Sequence, residues 1–127
     1  MAQKINYSAL SLAFFGDAVY ELYVRERVLK TVTGHVDKLN KYTKKLSMAA
    51  AQAQIADLLV ADGVLTEEEL AVYKRGRNAK SASLPKSCSP VQYRKATGLE
   101  SLMGYLFLKG EKERIAELID YGTERLQ

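Results

Sequence analysis

The chain has 127 residues with a formal net charge of +4, 47% hydrophobic and 27% charged, which suits one domain with a core of its own. Glycine and proline are sparse, which argues against a sandwich or barrel of short strands, and the single cysteine, Cys88, excludes an intrachain disulfide and fits a reducing compartment. The N-terminal MAQKINYSA lacks the apolar core of a signal peptide and no apolar run nears the ~20 residues of a membrane span, so a soluble cytoplasmic protein is expected.

Helical patterning runs through almost the whole chain and no stretch reads as a strand. Ser8 is placed to cap a first helix that reaches about Lys30. Its centre, Leu12–Arg25 (LAFFGDAVYELYVR), is apolar nearly all round, the pattern of a buried helix, yet holds Asp17 beside Gly16. Thr31–Gly34 breaks it. A short helix follows near Val36–Lys45, with Val36, Leu39 and Tyr42 on one face. Ser47 is placed to cap the Ala-rich MAAAQAQIADLLVAD, apolar through Ile55, Leu58 and Leu59 and ended by Gly63. Thr66 with Glu69 makes a capping box, and Glu67, Glu68 and Glu69 suit a positive helix end.

That helix passes Val72 and Tyr73 into KRGRNAKS, where Gly76 weakens it. Ala79–Pro90 reads as a Ser-rich loop holding both prolines, and a loop this long inside a domain is functional or disordered. Pro90 opens a helix to about Lys109, Gly110 breaks it, and Glu111–Leu126 is amphipathic through Ile115, Leu118 and Ile119. The expected architecture is an all-α helical bundle of one domain, with no repeat and no linker.

Charge is unevenly spread. Between Glu69 and Glu100 there is no acidic residue, and the gap holds Lys74, Arg75, Arg77, Lys80, Lys86, Arg94 and Lys95. Those seven positive charges, set against the total of +4, leave the remainder at −3. One concentrated basic segment is the electrostatic footprint of a nucleic-acid contact; the alternative is a solvated surface with a chance bias.

With one histidine and one cysteine, no zinc site of ordinary ligand spacing can form, and His35 has no apparent partners for a Ser–His–acid triad. There is no phosphate-binding loop and no dinucleotide fingerprint. His35 and Cys88 read as incidental. Carboxylates remain. Glu100 is the only charge in the apolar run Leu99–Leu108 (LESLMGYLFL), as Asp17 is in the middle of its own. Gly16 adjoins Asp17, and Gly104 lies one turn after Glu100 on the same face. A glycine inside a helix costs about 1 kcal/mol relative to alanine, so two beside two acids suggest a close helix crossing.

Two carboxylates brought together repel unless a cation or a shared proton intervenes. Hard oxygen ligands without histidine suit Mg²⁺, with Mn²⁺ as a substitute. The alternative is that each acid pairs separately with a distant basic side chain. Glu21, one turn after Asp17, offers either an outer ligand or an i,i+4 pair with Arg25.

Phe14-Phe15-Gly16-Asp17-Ala18-Val19 resembles the signature helix of ribonuclease III catalytic domains, and Leu99-Glu100-Ser101-Leu102-Met103-Gly104 resembles their second motif. LAFFGDAVYELYVR, KRGRNAKS and LESLMGYLFL, in that order, look like the blocks of the short bacterial group, Mini-ribonuclease III. The resemblance spans essentially the whole chain and implies a single catalytic domain without a double-stranded-RNA-binding domain. It implies an all-α endonuclease fold and a homodimer in which each subunit cuts one strand. Asp17 and Glu100 would be catalytic and would hold magnesium, and the products would carry 5′-phosphate and 3′-hydroxyl ends. The implied substrate is a double-stranded stem in the large-subunit (23S) ribosomal RNA precursor, presented with help from a large-subunit ribosomal protein.

With no separate binding domain, the duplex would be held by Lys74, Arg75, Arg77, Lys80, Lys86, Arg94 and Lys95, with Asn78 reaching a 2′-hydroxyl. The family carries further acids at the positions of Leu10, Ala13 and Thr97, which this chain lacks. Three readings follow: a metal-dependent double-strand ribonuclease, a noncatalytic RNA-binding or ribosome-associated module of the same fold, and a generic helical interaction protein. The embedded acids separate the first from the second, and the acid-free basic run separates the second from the third. Apolar residues of the first helix, Leu12, Phe15 and Tyr20, serve either a subunit interface or the core.

Overall fold

The computed structural model describes residues 5–80 and 88–126, and six helices with no strand lie among them. They are α1 (Ala9–Thr31), α2 (Val36–Ser47), α3 (Ala49–Ala61), α4 (Glu67–Asn78), α5 (Pro90–Leu108) and α6 (Lys112–Glu124). The expected starts are set by local chemistry. Ser8 accepts from the Ser11 amide, and Thr66–Glu69 and Ser89–Gln92 both close capping boxes. Gly63 takes the left-handed conformation after α3, with φ +64°.

Helix α5 is the axis of the molecule. It packs against α1, α3, α4 and α6, and its Leu99, Leu102, Met103 and Leu106 are all under 3% exposed. Around them sit Tyr20 and Val24 of α1, Ile55 and Leu59 of α3, Tyr73 of α4, and Ile115, Leu118 and Ile119 of α6. Each large side chain buried this way contributes about 1.5–3 kcal/mol, which short helices of little independent stability require.

Glycines let α5 approach its neighbours backbone to backbone. A Cβ at Gly16 would overlap the Glu100 carbonyl oxygen and come within 2.8 Å of the Gly104 amide nitrogen; a Cβ at Gly104 would overlap the Leu12 carbonyl. Ser101 Oγ donates to the Ala9 carbonyl at 2.8 Å on the same seam. Helix α4 continues through Gly76 to Asn78, and Gly76 is buried against Ser101, where a side chain would not fit.

Two local expectations change. Ser47 ends α2 and its hydroxyl turns to Glu21, so α3 begins after Met48 without a side-chain cap. Val36 and Tyr42 face solvent, and only Leu39 of that trio packs inward. Leu12 and Tyr20 are core residues, 6% and 0% exposed; the apolar side chains that α1 leaves outside are Phe14 at 85% and Leu22 at 59%. Phe15 is half-buried, its ring edge-on to Phe107 at 5.5 Å. Glu69 does more than cap α4: it is buried and receives Arg114 at 2.8 Å, tying α6 to α4. Residues 81–87 of the Ser-rich loop, Lys86 among them, lie outside the described residues.

Candidate active site

The α1–α5 seam brings the two acids together. Asp17 and Glu100 are within hydrogen-bonding reach of one another through their side chains. Asp17 is exposed rather than embedded, because α1 buries Leu12, Ala13, Gly16, Val19 and Tyr20 and turns Phe14, Asp17 and Ala18 outward. Glu100 is half-buried. Burial, then the hydrogen bond and negative charge of Asp17, push its carboxyl up to about 8 from the ordinary 4.5. Among the described residues neither acid has an ion-pair partner. Nothing among those residues neutralises either acid separately.

Glu21 is engaged elsewhere, accepting from Arg25 Nε at 3.0 Å and Ser47 Oγ at 2.5 Å. It is the i,i+4 partner of Arg25, one of the two roles open to it. Gln52 of α3 is the polar member that sequence reasoning passed over. It is 3% exposed, donates from Nε2 to the Ser47 carbonyl at 3.1 Å, and lies near enough to Glu100 to favour its charged form. Its Oε1 is buried without a partner among the described residues. An unpaired buried carbonyl costs on the order of 1–3 kcal/mol. The signal was available: Gln52 stands on the Ile55–Ala56–Leu59 face, a polar residue at a core position, as Glu100 does on α5.

The donor set fits a small divalent cation. It offers two carboxylates, both hard oxygen ligands. No cluster of three acids, histidines or cysteines exists among the described residues. Two carboxylates with substrate oxygens are an ordinary set for magnesium.

The basic residues divide. Arg77, Asn78, Lys80 and Arg94 share one cleft of about 500 Å³ with Leu10, Ala79, Tyr93 and Thr97. Thr97 precedes Glu100 by three residues, so this cleft begins about 4.5 Å along α5 from the acid pair. Arg77 lies 5.7 Å over the Tyr73 ring and donates to Asn78 Oδ1 at 3.2 Å, which fixes its guanidinium at the cleft wall. Arg75 faces a smaller cleft with Tyr7 and Tyr105, and Lys74 is exposed. Lys95 is tied to Asp57 at 2.8 Å, so it is not a free cation.

A second basic face comes from α2, whose Lys38, Lys41, Lys44 and Lys45 are exposed and unpaired among the described residues. Summing charge over the 70–99 gap concealed it, because acids elsewhere in the chain cancel it in the total. His35 is a surface residue whose Nδ1 accepts from the Asp37 amide and caps α2.

The ribonuclease III domain profile matches residues 10–111. The chain belongs to the ribonuclease III family. It is 39% identical to the Mini-ribonuclease 3 of Symbiobacterium thermophilum over all of this chain and 96% of that one. It is 44% identical to that of Enterococcus faecalis over 94% of this chain and 90% of the relative. A Fusobacterium nucleatum protein of known crystal structure superimposes with a TM-score of 0.81 at 35% identity, over 94% of this chain and 93% of that one. The chain is thus an endoribonuclease of the Mini-ribonuclease 3 group, in a family that acts on double-stranded RNA and depends on divalent metal. No described helix is long and apolar enough to cross a membrane.

Proposed function

We propose that the chain is a magnesium-dependent endonuclease that matures the large-subunit (23S) ribosomal RNA precursor by cutting a double-stranded stem, with catalysis at Asp17 and Glu100. The observation that carries this reading is the contact of two acids without an ion-pair partner among the described residues, one turn from a cleft walled by Arg77, Asn78, Lys80 and Arg94. A bound Mg²⁺, for which Mn²⁺ can substitute, would supply Lewis-acid activation of water and charge stabilisation at the phosphate.

The chain's own residues do the rest. Asp17, on the exposed rim, meets the incoming phosphodiester, while half-buried Glu100 is held behind it by α5. Arg77, Lys80 and Arg94 neutralise neighbouring phosphates, and Asn78 is placed to meet a 2′-hydroxyl. Attack in line with the 3′ oxygen leaves 5′-phosphate and 3′-hydroxyl ends.

The working unit is a homodimer. Phe14, Ala18 and Leu22 recur every four residues on the outer face of α1, and Phe14 and Ala18 line a shallow groove with Asp17 and Glu21. A second copy on this face places two sites on one duplex, one per strand. The domain acts in the cytoplasm, with a large-subunit ribosomal protein presenting the stem. The test is incubation of purified protein and Mg²⁺ with a labelled precursor stem and with its separated strands. Cuts confined to the duplex, with ends that ligate directly, support the proposal. Binding without cutting under any divalent ion, with ribosomal proteins supplied, favours the noncatalytic module.

A further inference from the structure

We propose that a row of lysines on α2, Lys38, Lys41 and Lys44, holds the RNA duplex by its phosphates on the side of the acid pair away from the Arg77 cleft. The inference rests on the reading of the chain as a nuclease that cuts a duplex at Asp17 and Glu100, and adds to it a second holding surface on another helix.

The three lysines stand three residues apart, so they follow one another along one side of α2, over about 9 Å. All three are exposed, and none has an acid partner among the described residues. Three residues further the row reaches Ser47, whose hydroxyl donates to Glu21 at 2.5 Å. Tyr20 Oη donates to the Leu46 carbonyl at 2.6 Å, so two hydrogen bonds fasten this end of α2 to α1. Glu21 stands one turn after Asp17 on α1. The Arg77 cleft touches α1 at Leu10, two turns before Asp17. Along α1, therefore, Asp17 lies between two cationic surfaces, one reached at Leu10 and the other at Glu21.

An endonuclease cuts within a duplex, so phosphates continue on both sides of the bond that breaks and cations are needed on both. Glu21 does not oppose them, since Arg25 meets its charge at 3.0 Å. The competing explanation is the helix dipole, which favours cations at a helix C-terminus. It accounts for Lys44 and Lys45, in the last turn of α2. It does not account for Lys41 in the middle, or for Lys38 near the positive end. Like charges at this spacing repel, a cost that a polyanion removes.

The test is cleavage of a labelled RNA duplex in Mg²⁺ across a salt series, comparing wild type with Lys41→Gln/Lys44→Gln. Glutamine keeps the helix propensity of lysine, so α2 persists, which circular dichroism checks. The double variant is expected to raise KM. Its slope of log kcat/KM against log salt should be shallower by about 1.4–1.8, which is 0.7–0.9 for each lost phosphate contact. Lys41→Arg/Lys44→Arg keeps both charges and should restore the wild-type slope. A glutamine variant with the wild-type KM and slope overturns the inference, as does an arginine variant that loses as much. Loss of binding to polyglutamate, with cleavage as in wild type, assigns the row to an acidic protein and also overturns it. Wild type that cuts no duplex removes the nuclease reading and this inference together. Wild type that cuts, with a glutamine variant indistinguishable from it, removes this inference alone.

Discussion

Glu100 meets Asp17 because Gly16 and Gly104 bring α1 and α5 into backbone contact directly beside them. The acids are 83 positions apart in sequence, with three helices between them; in space one seam of four residues joins them. Gly16→Ala tests that dependence. Its Cβ would overlap the Glu100 carbonyl, which is backbone and cannot rotate away. We expect a loss of about 3 kcal/mol in urea unfolding, at the upper end for overpacking, together with loss of cleavage. Ala18→Ser, on the exposed side of the same turn, should change stability by less than about 0.5 kcal/mol.

Glu100 makes the metal-free protein sensitive to pH. Its carboxyl lies at about 8 when folded, against 4.5 ordinarily, so the native state holds a proton that the unfolded chain releases. The stability this provides is fully present below about 4.5 and is lost as pH rises through 8. The slope in that window is on the order of 1 kcal/mol per pH unit. Urea midpoints at pH 5, 6.5 and 8 should fall in that order, and Glu100→Gln should flatten the series. Added Mg²⁺ should oppose the fall at pH 8, since a cation replaces the proton. A wild-type series as flat as the mutant's would contradict the arrangement.

Arg77 is the cation most firmly built into the cleft wall, over Tyr73 and beside Asn78. Arg77→Ala should weaken duplex binding and lower the slope of log affinity against log salt by about 0.7–0.9, leaving Mn²⁺ binding intact. Unchanged binding across the salt titration would remove it from the interface. Lys95→Ala should do much less, because Lys95 already faces Asp57.

Phe14 is 85% exposed, so its removal does not open the core. Phe14→Glu should leave the melting of the monomer near wild type and shift sedimentation from dimer to monomer. A dimer that survives the substitution would place the subunit contact elsewhere.

The helices were legible because their ends carry caps and glycines: Ser8, Thr66–Glu69, Pro90, Gly63 and Gly110 all fall where the sequence puts them. The acid pair was legible because a charge among apolar residues stands out. Less was visible wherever the outcome depends on which neighbour a side chain meets. Asp17 is exposed, though its helix reads as buried, because one face of α1 keeps Phe14 and Leu22 outside. Lys95 finds Asp57 from another helix, and Arg75 and Arg77, two residues apart, face different clefts. Gln52 was missed because an uncharged residue on the apolar face of an Ala-rich helix stands out less than a charge does.

The most direct measurement is cleavage of a labelled RNA duplex with and without Mg²⁺, comparing wild type with Asp17→Asn. Asp17 is exposed, so the substitution should preserve the fold, which circular dichroism checks in the same samples. Cleavage that needs Mg²⁺ and disappears in Asp17→Asn, with duplex binding kept, is the expected result. Undiminished cleavage by Asp17→Asn, or wild-type cleavage equally fast in a chelator, would contradict catalysis at the Asp17–Glu100 site.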